Sequence, residues 1–162
     1  MSEIYFISDL HFGHLNYKRF VPWIKDMDHD EYIELMVVRW NSVVKKNDVV
    51  WALGDVAFNA KGLITFDRLL GIKHLVRGNH DNLSTLSYLK FFNSIQGIVK
   101  KHSYWLSHCP IHPEELRGKK NIHGHVHQNE LKDRDYIYVG ADKLEGYPIS
   151  LNQIRNQEKT NE

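Results

Sequence analysis

The chain has a single cysteine, no long apolar run and almost no net charge. With Cys109 alone, no intramolecular disulfide can form and a cysteine-rich zinc site is excluded. No stretch approaches the length of apolar chain that a bilayer span requires. The opening residues Met1 to Ile7 lack a basic segment and reach Asp9 too soon for a secretory signal. A cytoplasmic location is the expectation. The formal charge of +1, from 21 basic and 20 acidic residues, creates no one-signed field to draw in a membrane or nucleic acid. Repeats, low-complexity stretches and linkers are also missing.

What is present is a chain of 162 residues, 42% hydrophobic and 25% charged, long enough to bury a core. One domain over residues 1–154 is expected, followed by a polar, frayed tail over 155–162. Eleven histidines stand out, and most cluster near a few short motifs.

The hydrophobic pattern alternates strand and helix through the first half. Ile4 to Ile7 reads as a buried strand ending in Ser8-Asp9. Asp28, with Glu31 three residues on, has the spacing of a capping box. Ile33, Met36, Val37, Trp40 and Val44 then recur at helical spacing, which predicts a helix to about Lys46. Val49 to Leu53 is a second strand. A second helix is expected from about Leu63 to Leu70, closed by Gly71, and a third strand at His74 to Val76. Further strands are expected at Ile98–Lys100, Tyr104–Ser107, Lys120–His123 and Tyr136–Val139. The class is α/β, with motifs at strand ends, where ligands of such sheets collect.

Five motifs carry the candidate chemistry: Asp9-Leu10-His11, Gly54-Asp55, Gly78-Asn79-His80-Asp81, Ser107-His108 and Gly124-His125-Val126-His127. In the first and last, two polar side chains flank an apolar residue, so on extended chain both lie on one side and can grip the same ion. Gly54-Asp55 offers a carboxylate beside a residue with no side chain; by itself it reads as a turn. Asn79 can lend a neutral oxygen to a metal, and His80 is a candidate acid, although the tetrapeptide also fits a plain polar turn. His108 alone could be a satisfied semi-buried histidine, and the 125/127 pair, beside His123, a surface accident. In this order and at strand ends, the set jointly favours metal ligation. Cys109, next to His108, reads as a small, inert, buried residue.

The ordered set resembles the signature of the calcineurin-like metallophosphoesterases, and the match spans residues 5 to 127. The resemblance implies a four-layer α/β/β/α sandwich with two divalent ions. By family analogy Asp9, His11 and His127 hold one ion, Asn79, His108 and His125 the other, and Asp55 bridges them. The implied reaction is in-line attack on phosphorus by a hydroxide bridging the ions, with His80 protonating the leaving oxygen and Asp81 orienting it. A nitrogen and oxygen ligand set without thiolate suits manganese, iron or zinc, and manganese is favoured.

Gly54-Asp55-Val56-Ala57-Phe58 departs from the Gly-Asp-x-x-Asp-Arg-Gly of the protein phosphatases, which argues against phosphoprotein substrates. The interval from Asp81 to His108 is too short for a cap domain. The extended first motif, His11-Phe12-Gly13-His14-Leu15-Asn16, is similar to that of a compact single-domain group in bacteria and their phages. His14, Asn16 and Arg19, with Lys18, are candidate substrate contacts; a solvated loop is the alternative for Lys18 and Arg19. Phe12, Tyr17, Trp23 and Phe58 could stack on a base or pack the core. A small phosphorylated substrate is expected, with a phosphodiester of nucleotide or cyclic-nucleotide type preferred. A nuclease recruited by a partner and a non-catalytic metal-binding scaffold are the alternatives. The oligomeric state is not legible.

Overall fold

Alternation along the central strands divides the interior in two. On β1 (Ile4–Ile7), Ile7 packs with one apolar cluster and Phe6 with another; on β2 (Val49–Ala52), Val50 and Ala52 face the first cluster and Trp51 the second. Successive strand side chains point to opposite faces, so each strand serves both cores. The computed structural model describes residues 2–19 and 21–160.

The first cluster lies between one sheet face and the helical segments. It contains Tyr32, Met36 and Trp40 of α1 (His29–Val43), Leu63 of α2 (Ala60–Ile64) and Tyr88 of α3 (Thr85–Tyr88). The expected capping box is formed: the Glu31 amide donates to Asp28 at 2.8 Å and the Asp28 amide to Glu31 at 2.8 Å. α1 stops at Val43, three residues before the expected end. The Asp48 carboxylate takes the amides of Lys45 and Glu3, which turns the chain directly into β2.

The second expected helix is displaced. Asn59 caps α2 by accepting from the Gly62 amide at 2.8 Å, and the chain tightens into a 3-10 turn at Thr65–Asp67. Gly71 has φ +98 and reverses the chain into β3 (Ile72–Val76). Those three strands and β4 (Ser94–Gln96) are parallel neighbours, with β9 (Ile149–Ser150) antiparallel on the outer side of β1, in the order β4-β3-β2-β1-β9.

A second sheet has the order β5-β6-β7-β8, from β5 (Val99–Lys101), β6 (Tyr104–Leu106), β7 (Asn121–His123) and β8 (Tyr136–Tyr138). Its Leu106 and Ile122 meet Phe6, Trp51 and Val76 of the first sheet in the second cluster. A one-turn helix, α4 (Pro113–Leu116), links β6 to β7. The α/β class is as expected.

The end of the chain is not frayed at residue 155. α5 (Leu151–Thr160) inserts Leu151 and Ile154 into the second cluster, and Glu158 accepts from the Tyr104 hydroxyl at 2.6 Å and pairs with Lys120 at 3.0 Å. Two apolar residues one turn apart suffice to seat this otherwise polar helix. No helix among the described residues is long and apolar enough to cross a membrane.

Candidate metal centre

The motifs follow the C-terminal ends of β1, β2, β3, β6 and β7, and the fold gathers those ends at one edge. An isolated bridge between Ser8 and Gly140 ties the end of β1 to the end of β8, so both sheets contribute. Asp9, His11, Asp55, His125 and His127 all have left-handed backbone, with φ between 47 and 72. Such a conformation costs a non-glycine residue roughly 1–2 kcal/mol, and its concentration here marks a place where geometry has been set for something other than stability.

The surrounding chain enforces that geometry. The Tyr17 and Tyr32 hydroxyls donate to the carbonyls of Asp9 and Leu10, at 2.6 and 2.8 Å. The Asp9 and His11 amides donate to the carbonyls of Gly54 and Asp55, locking the first two motifs together. Gly54, at φ +86, leaves no space for a Cβ: one would run into the His108 ring.

Carboxylates and imidazoles then converge at separations too long for direct hydrogen bonds. His11 Nε2 lies 3.6 Å from Asp9 Oδ1 and 3.9 Å from Asp55 Oδ2. His127 Nε2 lies 3.8 Å from the same Asp9 oxygen, and His108 Nε2 3.4 Å from the same Asp55 oxygen. Asn79 Oδ1 is 2.9 Å from His108 Nε2, and the His108 and His125 rings are 5.0 Å apart. Three groups can each surround one ion: Asp9, His11 and His127; Asp9, Asp55 and His108; and His108, Cys109 and His125. Asp9 Oδ1 and both ring nitrogens of His11 are buried without a hydrogen-bond partner. Leaving such atoms unsatisfied costs about 1–3 kcal/mol each. A divalent cation would satisfy Asp9 Oδ1 and one His11 nitrogen, and the donor set, carboxylate and imidazole with one amide, suits such an ion.

Outer partners aim the ligands. His108 Nδ1 faces the Leu53 carbonyl at 2.8 Å; a carbonyl only accepts, so Nδ1 carries a proton, and this contact turns Nε2 toward Asp55 and Asn79 Oδ1. His127 Nδ1 likewise faces Asp142 Oδ2 at 3.3 Å, while the Tyr138 hydroxyl donates to the other Asp142 oxygen at 2.6 Å. Burial alone would raise the Asp55 carboxyl and lower both imidazoles. The pairing of Asp55 with His108 reverses this and holds the Asp55 carboxyl at about 2. Asp55 and Asp9 correspondingly raise His108, and Asp142 raises His127.

His80 is exposed, its amide donates to Asp55 Oδ1 at 2.8 Å, and its ring stacks on Phe58 at 4.7 Å. Asp81 does not orient it. The buried Asp81 carboxylate is occupied by the amides of Asp55, Val56 and Gly78, at 2.8–2.9 Å, and so braces the loop bearing Asp55. His14 sits at the rim, its ring 6.1 Å from His11, and Asn16 is exposed beside it. The Arg19 side chain lies outside the described residues. Of the aromatics considered for base stacking, Phe12 is in the core, Tyr17 is buried against His11, and Trp23 lies under Arg39. Cys109 is exposed, contrary to expectation, because its chain turns outward directly after the strand end.

Asp142, Tyr138, Tyr17 and Phe58 went unassigned or misassigned in the sequence. Asp142 follows His127 by a whole strand, and no spacing rule links them. Its only local signal is Gly140, where a Cβ would strike both the Tyr138 hydroxyl and Asp142.

Strand-end histidines and carboxylates gathered at one edge of the two sheets define this as an α/β protein with a candidate metal-binding site. No protein-family model matches the chain. It is 32% identical over 199 residues to the Gene 66 protein of Mycobacterium phage L5, covering 95% of this chain and 93% of that one, and it belongs to that protein's family. An uncharacterised protein of Methanocaldococcus jannaschii is 29% identical over 168 residues, covering 95% and 90% of the two chains. Among solved structures, a protein of unknown function from Aquifex aeolicus superposes with a TM-score of 0.76 at 25% identity, covering 97% of this chain and 100% of that one.

Proposed function

We propose that the chain is a cytoplasmic phosphoesterase dependent on two divalent ions, acting as a phosphodiesterase on a small nucleotide or cyclic nucleotide. One observation carries the reading: Asp55 Oδ2 stands between His11 and His108, beside the unpartnered Asp9 Oδ1 and His11 nitrogens. Asp9, His11 and His127 would hold one ion and Asn79, His108 and His125 the other, with Asp55 shared. Manganese is favoured, with iron and zinc as alternatives. Such a pair supplies an activated water and a clamp for phosphate oxygens.

The protein's own residues do the remaining work. His80, exposed above Asp55, gives a proton from a ring nitrogen to the departing oxygen. Phe58 fixes the plane of that ring, so the proton is delivered from a constant direction. Asp81 keeps the Asp55 loop rigid, and Asp142 keeps His127 pointed inward. His14 and Asn16 border the space for the second half of the ester, and Arg19 is proposed as a further contact to it. The same reading carries membership of the calcineurin-like metallophosphoesterases and their four-layer α/β/β/α arrangement.

The test is hydrolysis of bis-p-nitrophenyl phosphate and p-nitrophenyl phosphate with added Mn²⁺, for wild type, His80→Ala and Asp55→Ala. Turnover of the diester by wild type, lost in both variants, supports the reading. Bound metal with no cleavage of either ester, nor of a nucleotide panel, would leave a metal-binding scaffold.

A further inference from the structure

The two halves of the centre differ in one atom type. Around Asp9, His11 and His127 every candidate donor is oxygen or nitrogen. Around His108 and His125 there is also sulfur: one ring nitrogen from each histidine and the Cys109 Sγ all lie within 4.8 Å of one another.

The backbone holds this grouping in place. The Gly124 amide donates to the His108 carbonyl at 2.9 Å, which docks the loop bearing His125 against the turn bearing Cys109. Ser107 Oγ donates to the Cys109 carbonyl at 2.6 Å, and Asn121 Oδ1 accepts the Ile111 amide at 3.0 Å, pinning the turn on both sides of the cysteine. Asn121 itself is fully buried. Cys109 forms no disulfide and is exposed, so its sulfur can reach an ion without disturbing the core.

Resting on the metal centre proposed above, we propose that Cys109 ligates the ion held by His108 and His125, making this position thiolate-bearing and selective for softer ions. Binding forms one sulfur–metal bond and releases the thiol proton to solvent. Two imidazoles, a thiolate and an oxygen from Asp55 or Asn79 would make a four-donor set that suits zinc or cobalt better than manganese. The Asp9, His11 and His127 position keeps a harder set. The thiolate-bearing position would then take zinc in preference to manganese when both are supplied, while manganese alone can still fill the centre.

Cobalt titration of the metal-free protein tests this, comparing wild type with Cys109→Ser. The expected result is visible cobalt absorption in both proteins, with a near-ultraviolet thiolate-to-cobalt charge-transfer band in the wild type alone. Zn²⁺ affinity at one of two sites should fall roughly tenfold or more in the variant, at least the loss typical of removing an outer partner, while Mn²⁺ binding is unchanged. Zn²⁺ should also protect wild-type Cys109 from iodoacetamide. Cobalt absorption without the charge-transfer band in wild type, with Cys109 still alkylated under saturating Zn²⁺, overturns the thiolate and leaves the metal centre standing. Failure to bind cobalt at all overturns both.

Discussion

The two sides of the centre are built to opposite standards of enclosure. Asp9 and His11 are 0% and 6% exposed, with Tyr17 stacked on the His11 ring and Asp142 behind His127. Across Asp55, Asn79 and His125 are exposed and Cys109 stands at the surface. The enclosed side has its ligands oriented before any ion arrives, so little ordering remains when one binds. The open side leaves Asn79, His125 and Cys109 accessible to solvent, where the proposed substrate and a further ligand would enter. Affinity should therefore be set mainly on the first side, and ion identity and substrate access on the second.

Removing the shared carboxylate should erase the contrast. Asp55→Ala is expected to lose ions from both sides and take phosphodiesterase activity to the metal-free background, measured by metal content and diester hydrolysis. His80→Ala should instead keep both ions while losing about 10²–10⁴-fold in kcat, the usual worth of a positioned acid; metal content and kinetics on one preparation separate the two. Asp142→Ala tests the enclosed side alone. It should weaken one ion by roughly 10–100-fold, seen by calorimetry as a loss of affinity at one of the two positions, and Asp142→Asn should recover part of the loss.

A smaller effect is expected in stability. An ion at 100 times its Kd should stabilise the fold by about 2.7 kcal/mol. For a chain of this size that raises Tm by roughly 5–10 °C, reversed by a chelator and missing in Asp55→Ala. The smallest effect belongs to Phe58→Ala, which leaves metal content and Tm nearly unchanged and lowers kcat less than His80→Ala does.

Legibility in the sequence followed how local each signal was. β1, β2 and the capped start of α1 were readable because apolar runs and a four-residue cap carry their own evidence. The motif residues were readable because each sits within a few positions of a strand end, and the structure brings Asp9, His11, Asp55, Asn79, His108, His125 and His127 together. α5 was not, since only Leu151 and Ile154 anchor it and its neighbours are polar. β4, three half-buried residues, has no pattern of its own and exists by pairing with β3. The role of Asp81 was misread for a related reason: adjacency to His80 suggested a side-chain partner, whereas the turn points the carboxylate back into the amides of residues 55 and 56. Asp142 needed the three-dimensional fold outright, because the contact joins the chain beyond β7 to the chain beyond the neighbouring β8.

The most direct measurement is the number of ions bound per chain, by elemental analysis after desalting from excess Mn²⁺ plus Zn²⁺, in wild type, Asp9→Asn and Asp55→Asn. Two ions per wild-type chain, falling in both variants, are what the shared-carboxylate centre predicts. Fewer than one ion per wild-type chain, or a stoichiometry that neither substitution changes, would contradict it.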